Sequence, residues 1–548
     1  MNAQYLMGLL YRDGGLLIPN AEQANPYAQY LLGILRRCTM VIFVTYLGIR
    51  LFIQSVFAVF VQKKEIIKCE KNKLQQEKIC VNVYINKFIK RGEKMRTAWQ
   101  TYTAEKRQSM EEISCRYKLF LNAGKTEREC VAETIRLAES VGYRPLGMKE
   151  LHEGDRVYVE RMGKAVVFFH IGDAPLEEGL NILGAPIDSP RLDVKPKPLY
   201  EDSGLAYFDL HYYGGIKKYQ WLTLPLALHG VVCLTSGEKR TVVIGEEETD
   251  PIFCVTDILP HLAEDQLEKS AAKFIDGEGL DLLMGSIPYE DAEEAVKSNI
   301  LNLLKMQYGF EEEDLLSAEL EVVPAGKTRD LGLDRSMLLG YGHDDRVCAY
   351  TSLAALLAQE HLSRTACCLL IDKEEIGSVG ATGAQSDFFQ DALEDLLQAL
   401  GKSPLLAHRC LQNSVMLSSD VTAAYDPLYG SVFDKRSCAQ LGAGVNFNKY
   451  VGARGKGGTN DASPEFIAQL RRILNTAEVH WQLTELGRVD VGGGGTIAGL
   501  FARHGMQVID CGLPVLSMHS PHEVISKADL YEAWLCYQAF LKNACAVD

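Results

Sequence analysis

None of the fifteen cysteines, which run from Cys38 to Cys545, stands in a C-x-x-C pair or at the spacing of a structural zinc knuckle. That sets aside a disulfide scaffold and a zinc ribbon, and scattered thiols fit a reducing cytoplasm. Cys367 and Cys368, in an Ala-Cys-Cys-Leu-Leu-Ile run, read as small apolar strand residues. Cations are also in short supply: 57 Lys and Arg face 72 Asp and Glu, a formal charge of −15. Phosphate binding needs a clustered excess of cations, and no basic face is evident downstream of residue 100, so no nucleic-acid partner is expected. There is no internal repeat and no long low-complexity tract. What remains is a globular chain of 548 residues, 47% hydrophobic, with enough apolar material for two or three cores.

The first 94 residues differ from the rest. Between Cys38 and Val61 lies a run about as long as a membrane span, interrupted by Arg50 and followed by Lys63, Lys64 and Glu65. It starts too deep in the chain for a secretory signal, and no small-residue cleavage pattern follows it. The next stretch is rich in Lys, Ile, Asn and Glu, and the composition changes abruptly at Met95. Arg91-Gly92-Glu93-Lys94 can be encoded by an all-purine stretch of the kind that precedes a bacterial start codon. The expectation is that residues 1–94 are an extension upstream of a true start at Met95, with membrane association only if segment 38–61 is genuine.

From Trp99 to Val141 the pattern is helical, with Thr103 as a cap and Ile113, Tyr117, Leu119 and Phe120 on one stripe. Short β-like runs follow at 157–159, 165–169 and 180–184. Beyond Lys195 the chain turns β-rich, with strands expected at 221–228, 231–234 and 241–244, and it reads as an insertion. Helix–strand alternation returns after Leu331, with a helix over 347–359 and strands at 367–371 and 414–418. Such alternation implies an α/β layer fold. The resulting division is 95–192 and 333–548 for an α/β part, with 193–332 inserted.

Two zinc ions side by side need several carboxylate and imidazole ligands, one carboxylate shared and another free to act on water. Asp188, Asp345, Glu374, Glu375, Asp420 and His519 supply such a set at strand ends and loops. In Ile371-Asp372-Lys373-Glu374-Glu375 an apolar strand empties into paired carboxylates, so Glu375 can bind metal while Glu374 faces water. Each member also has an ordinary reading. The glutamates fit a solvated turn, Asp344 or Asp345 fits the N-terminal cap of the following helix, and His519 fits a satisfied core imidazole.

Taken in order, these segments resemble the aspartyl aminopeptidase and aminopeptidase I family of zinc metallopeptidases. The likeness runs from about Ala98 to the C-terminus and includes Ile187-Asp188-Ser189-Pro190, His211-Tyr212-Tyr213-Gly214-Gly215 and the stretch from Lys449 to Ala462. The resemblance implies a three-layer α/β/α, phosphorylase-like catalytic domain interrupted by a β-rich dimerisation domain. It further implies dimers assembled into a dodecamer, and removal of N-terminal residues from peptides. By motif, Asp345 would bridge two divalent ions, the family's zinc, with Glu375 and His519 completing one and Asp420 serving the other. Glu374 would be the general base, Asp188 would orient ligands, and His261 would reach a neighbouring subunit's site to stabilise the oxyanion. Lys449 is the candidate to meet an acidic substrate side chain, and Gly494 and Gly495 permit close approach of a ligand.

Two departures stand out. Where the family's first motif carries a zinc-binding histidine, this chain has Pro186, which offers no lone pair, so the second ion's site should be weakened. Asp426 replaces a histidine of eukaryotic relatives, which bears on substrate choice. The alternative function is a weak or inactive relative acting as an oligomeric binding or scaffold protein.

Overall fold

The computed structural model describes residues 97–547, apart from 148–149, 290–292 and 453, together with a short antiparallel pairing of Tyr11–Arg12 with Gly15–Leu16. The chain divides into two units, Met1–Lys94 and Met95–Asp548. The apolar run 38–61 lies outside the described residues, among which no helix is long and apolar enough to cross a membrane.

The second unit is a mixed α/β structure built on a nine-stranded sheet. Its strands lie in the order Trp481–Thr484, Val445–Asn448, Gln507–Gly512, Val415–Ser419, Asn181–Pro186, Ala366–Ile371, Ala165–His170, Arg156–Arg161 and Arg144–Pro145. The four strands from Gln507–Gly512 to Ala366–Ile371 are mutually parallel. Parallel strands buried on both faces read as continuous apolar runs, which is what Ala-Cys-Cys-Leu-Leu-Ile is. Its side chains alternate between two cores. Ala366, Cys368 and Leu370 pack with residues of helices Ala104–Ala123, His343–Leu357 and Lys527–Asn543, while Cys367, Leu369 and Ile371 pack with those of Phe388–Ala399 and Ala407–Gln412. Each Leu or Ile so buried contributes about 1.5–3 kcal/mol. The described cysteines, Cys367 and Cys368 included, are all free thiols.

Two local expectations need correction. The helical stretch after Trp99 is two helices, Ala104–Ala123 and Glu127–Glu139, because Gly124 ends the first and Thr126 opens a capping box with Glu129. Thr103 does cap the first helix, and Ile113, Tyr117 and Phe120 are buried, but Leu119 is 70% exposed. The strand expected at 221–228 is instead a 3-10 turn, Lys218–Trp221, followed by one strand, Leu226–Cys233, that absorbs most of the next expected strand as well. Pro225 has no N–H for a sheet ladder, so pairing begins after it.

Between Pro186 and the helix at His343 the chain builds a separate antiparallel sheet of seven strands. Their order is Lys239–Ile244, Leu226–Cys233, Ala318–Pro324, Arg191–Asp202, Leu205–Tyr213, Leu282–Gly285 and Cys254–Val255. It has its own core around Phe208, Trp221, Leu228 and Val322. A five-stranded sheet, Arg329–Leu331, Met337–Gly340, Glu523–Ser526, Pro514–Leu516 and Thr422–Ala423, ties the C-terminal loops to the strand before His343. The four mutually parallel strands of the large sheet end at one edge, where ligands gather in open α/β sheets. Asp188, Glu374, Glu375 and Asp420 follow three of those ends.

Candidate metal centre

Glu374 and Glu375 start a 3-10 turn directly after Lys373, whose left-handed backbone (φ 70°) turns the chain sharply off the strand. Asp188 receives that turn. Its Oδ1 accepts from the Glu374 N–H at 3.0 Å and its Oδ2 from the Glu375 N–H at 3.2 Å, and Oδ2 also accepts from the Tyr213 hydroxyl at 2.8 Å. This buried carboxylate therefore holds the glutamate pair by its backbone.

The aspartates at 344 and 345 do not cap the helix that follows them. Gly342, in a left-handed conformation, takes the N-cap position, and Asp344 has a non-helical ψ of 105°. Asp345 Oδ1 instead accepts from the N–H of Val421 at 3.2 Å, which draws the loop after Asp420 toward it. Across the cleft, His519 also has a left-handed backbone (φ 63°), and its N–H donates to Glu523 Oε1 at 2.7 Å. The other oxygen of Glu523 accepts from the Asp344 N–H at 2.9 Å, so one buried carboxylate joins both loops.

Two triads of potential ligands result, each with its donor atoms within 4.8 Å of one another: Asp344, Glu375 and His519, and Asp344, Asp345 and Asp420. The residue common to both is Asp344, whereas the sequence pointed to Asp345 as the shared carboxylate; Asp345 belongs to the second triad only. In the first triad, His519 Nε2 lies 3.2 Å from Asp344 Oδ2 and 3.7 Å from Glu375 Oε2. Its Nδ1 lies 2.9 Å from the Gly215 carbonyl. An Nδ1–H donated there would leave Nε2 to serve a metal ion on the carboxylate side, the usual arrangement of a metal-binding histidine. Pro186 ends its strand, and the register of Ser418 against Gly184 carries Asp420 to the level of Pro186.

The charges in this cleft are badly matched. Asp188, Asp344, Asp345, Glu374, Glu375, Asp420 and Glu523 converge on one imidazole. Burial, then the carboxylates of Asp420, Asp344 and Asp188, pushes Glu374 up to about 9. Burial and neighbouring carboxylates raise Asp420 to about 7, and burial and Asp344 raise Glu523 to about 8. Asp345 and Glu375 are displaced in the same direction, mainly by burial. Burial opposes a charge on His519, but the hydrogen bond and charge of Asp344, with Glu375, outweigh it and raise the imidazole to about 10. A second mark of a cation site is that the buried Asp345 Oδ2 and Glu375 Oε1 have no hydrogen-bond partner. Oxygen donors with one imidazole, held by hydrogen bonds from behind, fit divalent metal ions.

The remaining expected residues lie elsewhere. His261 is exposed on a short 3-10 turn, Pro260–Leu262, after the strand Cys254–Val255 of the seven-stranded sheet. Lys449 forms an ion pair with Asp461, which Lys456 also engages at 3.0 Å, so two cations share one carboxylate. Gly494 and Gly495 lie in an exposed loop, where the Gly494 N–H donates to the Val451 carbonyl at 3.0 Å. Asp426 caps the 3-10 turn Pro427–Val432. Sequence reasoning missed Asp344, Glu523 and the glycine corner after Tyr213. The His-Tyr-Tyr-Gly-Gly string was itself the available signal for the last.

Comparison with known proteins gives the chain its relatives. A family model described as aminopeptidase I zinc metalloprotease (M18) matches residues 120–541. A probable M18 family aminopeptidase 1 of Clostridium acetobutylicum is 54% identical over 456 residues, covering 82% of this chain and 98% of that protein. The crystal structure of an M18 family aminopeptidase from Thermotoga maritima superposes with a TM-score of 0.79 at 43% identity, over 82% of this chain and 100% of the other. The Saccharomyces cerevisiae mApe1 dodecamer aligns at a TM-score of 0.64 and 20% identity, over 78% and 96% of the two chains, a likeness of fold alone.

Proposed function

The chain belongs to the aminopeptidase I zinc metalloprotease family, and on that premise we propose that it hydrolyses residues from the free N-termini of peptides at the cluster centred on Asp344. The observation that carries the reading is the pair of ligand triads sharing one carboxylate, with Glu374 beside them and outside both. His519, Glu375 and Asp344 would hold one divalent ion, and Asp344, Asp345 and Asp420 the other. Ions bound there would supply Lewis-acid polarisation of the scissile carbonyl and acidify water. Glu374 takes the proton from the attacking water and delivers it to the departing amine; cations bound beside it would lower the proton affinity that burial and the neighbouring carboxylates raise. Asp188 keeps the Glu374 carboxylate aimed by holding its backbone N–H. Partly buried carboxylates lining the cleft also suit a protonated substrate amine.

The second triad contains no nitrogen, and Pro186 at the adjacent strand end adds no donor, so we place the weaker ion there. An acidic substrate side chain would have to compete with Asp461 for Lys449. We read residues 193–332 as the dimerisation domain inserted into a three-layer, phosphorylase-like catalytic domain made of 95–192 and 333–548. The exposed His261 would serve a neighbouring subunit in a dodecamer like that of the yeast protein. Free thiols support a cytoplasmic site of action. The alternative of an inert scaffold gains no support from a cluster whose carboxylates are intact.

The test is metal analysis of purified protein beside an aminoacyl-nitroanilide assay. Turnover should vanish on chelation and return with zinc. Turnover that persists in metal-free protein, or a zinc-loaded protein that cleaves none of a panel of such substrates, sinks the reading.

A further inference from the structure

The strand Leu205–Tyr213 belongs to the seven-stranded sheet, yet its C-terminal end touches both sides of the metal centre. Its last residue, Tyr213, is buried and donates its hydroxyl to Asp188 Oδ2 at 2.8 Å, the same carboxylate that gathers the N–H groups of Glu374 and Glu375. The next two residues approach the ligands themselves. A Cβ on Gly214 would lie 3.2 Å from Glu375 Oε2, and one on Gly215 would lie 3.2 Å from His519 Nδ1. Gly214 has a left-handed backbone (φ 72°), and the Gly215 carbonyl is the partner of His519 Nδ1.

The tyrosine is itself clamped. Opposite it on the neighbouring strand is Arg191, whose guanidinium lies 3.9 Å from the centre of the Tyr213 ring. Arg191 is buried and pairs with Asp193 at 2.8 Å, Glu321 at 3.1 Å and Glu127 at 3.4 Å. Asp193 and Glu321 stand on strands of the seven-stranded sheet, and Glu127 opens a helix packed on the nine-stranded one. The guanidinium thus fixes the ring, the ring places the hydroxyl, and the hydroxyl places Asp188.

We infer that Tyr213 is a positioning residue for the metal centre: together with the Gly214-Gly215 corner, it makes the seven-stranded sheet the support that aims Glu375 and His519. This rests on the reading of the cleft as a zinc site. Groups behind the ligands are worth about 10- to 100-fold in metal affinity or activity where they have been removed.

The test compares Tyr213→Phe, which loses one hydroxyl and keeps the ring under Arg191, with Tyr212→Phe, which loses a hydroxyl from the exposed neighbour. Zinc-loaded proteins are titrated with a chelator, and kcat and KM are measured separately. Tyr213→Phe should hold one zinc about 10- to 100-fold less tightly, with a lower kcat and KM within about twofold, while Tyr212→Phe should match the parent. In the double variant with Asp188→Asn the losses should not add, because both changes break one chain of contacts. Gly215→Ala, which crowds His519 from the other side, should weaken the same zinc and gives a reading if Tyr213→Phe does not fold. Unchanged zinc retention in Tyr213→Phe or Gly215→Ala, or additive losses in the double variant, overturns the inference. Failure of the zinc reading looks different: the parent protein itself would retain no zinc, and the inference would fall with it.

Discussion

The two halves of the ligand cluster share Asp344 but are built on different chemistry. At the His519 end, an imidazole nitrogen joins two carboxylates, and a backbone carbonyl fixes the ring from behind. At the Asp420 end all donors are carboxylates, and one oxygen of Asp345 is already engaged by the N–H of Val421. Zinc is commonly held by imidazole with carboxylate, whereas oxygen-only sets suit harder ions such as magnesium or manganese. On the proposed reading, the contrast would leave one strong zinc position and a weaker or more permissive neighbour.

The largest expected effect concerns the residue in neither triad. Glu374→Gln should lower kcat by about 10²- to 10⁴-fold while both ions stay bound, measured as turnover beside metal content. A loss of metal in that variant would make Glu374 a ligand and redraw both halves. Next is a paired comparison. His519→Ala should release the tightly held zinc, whereas Asp420→Asn should leave it in place and lose only the second ion. Equal losses of zinc in the two variants would erase the difference between the ends.

Metal removal sharpens the contrast in another way. Glu374 and Asp420 have folded-state proton affinities raised to about 9 and about 7. A carboxyl whose pKa is higher in the folded state binds more protons there than in the unfolded chain, so its contribution to stability is present at low pH and lost as pH rises through the folded value. Metal-free protein should therefore lose stability steadily from about pH 4 to about pH 9, and bound zinc should flatten that slope. Thermal unfolding across this range, with and without metal, reads the effect, and parallel curves would show that the carboxylates do not feel the ions.

How much of this was legible follows from what each residue does. Glu374, Glu375 and Asp420 could be read because an apolar strand that ends in a carboxylate is a pattern written within a few residues. Asp344 and Asp345 could not be told apart, since neighbours at a helix start differ in aim only through backbone angles, here the ψ of 105° at Asp344. Glu523 was invisible because it acts on the N–H of Asp344, 179 positions away, and on His519 through backbone rather than side chain. The alternating elements of the nine-stranded sheet were readable from periodicity. The start of Leu226–Cys233 was misplaced because apolar pattern alone does not register the N–H that Pro225 lacks. Tyr213 stood within the His-Tyr-Tyr-Gly-Gly string, but its role could not be read there because its partner, Asp188, lies just past a strand end of another sheet.

The smallest change, Pro186→His, addresses the weaker half directly. Pro186 is the last residue of its strand and contributes no N–H to the ladder, so a histidine there removes no hydrogen bond. The loss of the ring's constraint on the unfolded chain should cost only about 0.4–1 kcal/mol. Because Asp420 lies at the same level of the sheet, the new imidazole would bring nitrogen to a triad that has none. The ion at that end should then resist a chelator at least about tenfold better, with zinc gaining over manganese and kcat rising with occupancy. The ion at the His519 end should be unaffected, so a change confined to the second equivalent of metal is the signature to seek. If titration instead shows both ions equally tight in the parent, and the histidine alters neither, then the three carboxylates already make a complete site and Pro186 is merely the end of a strand.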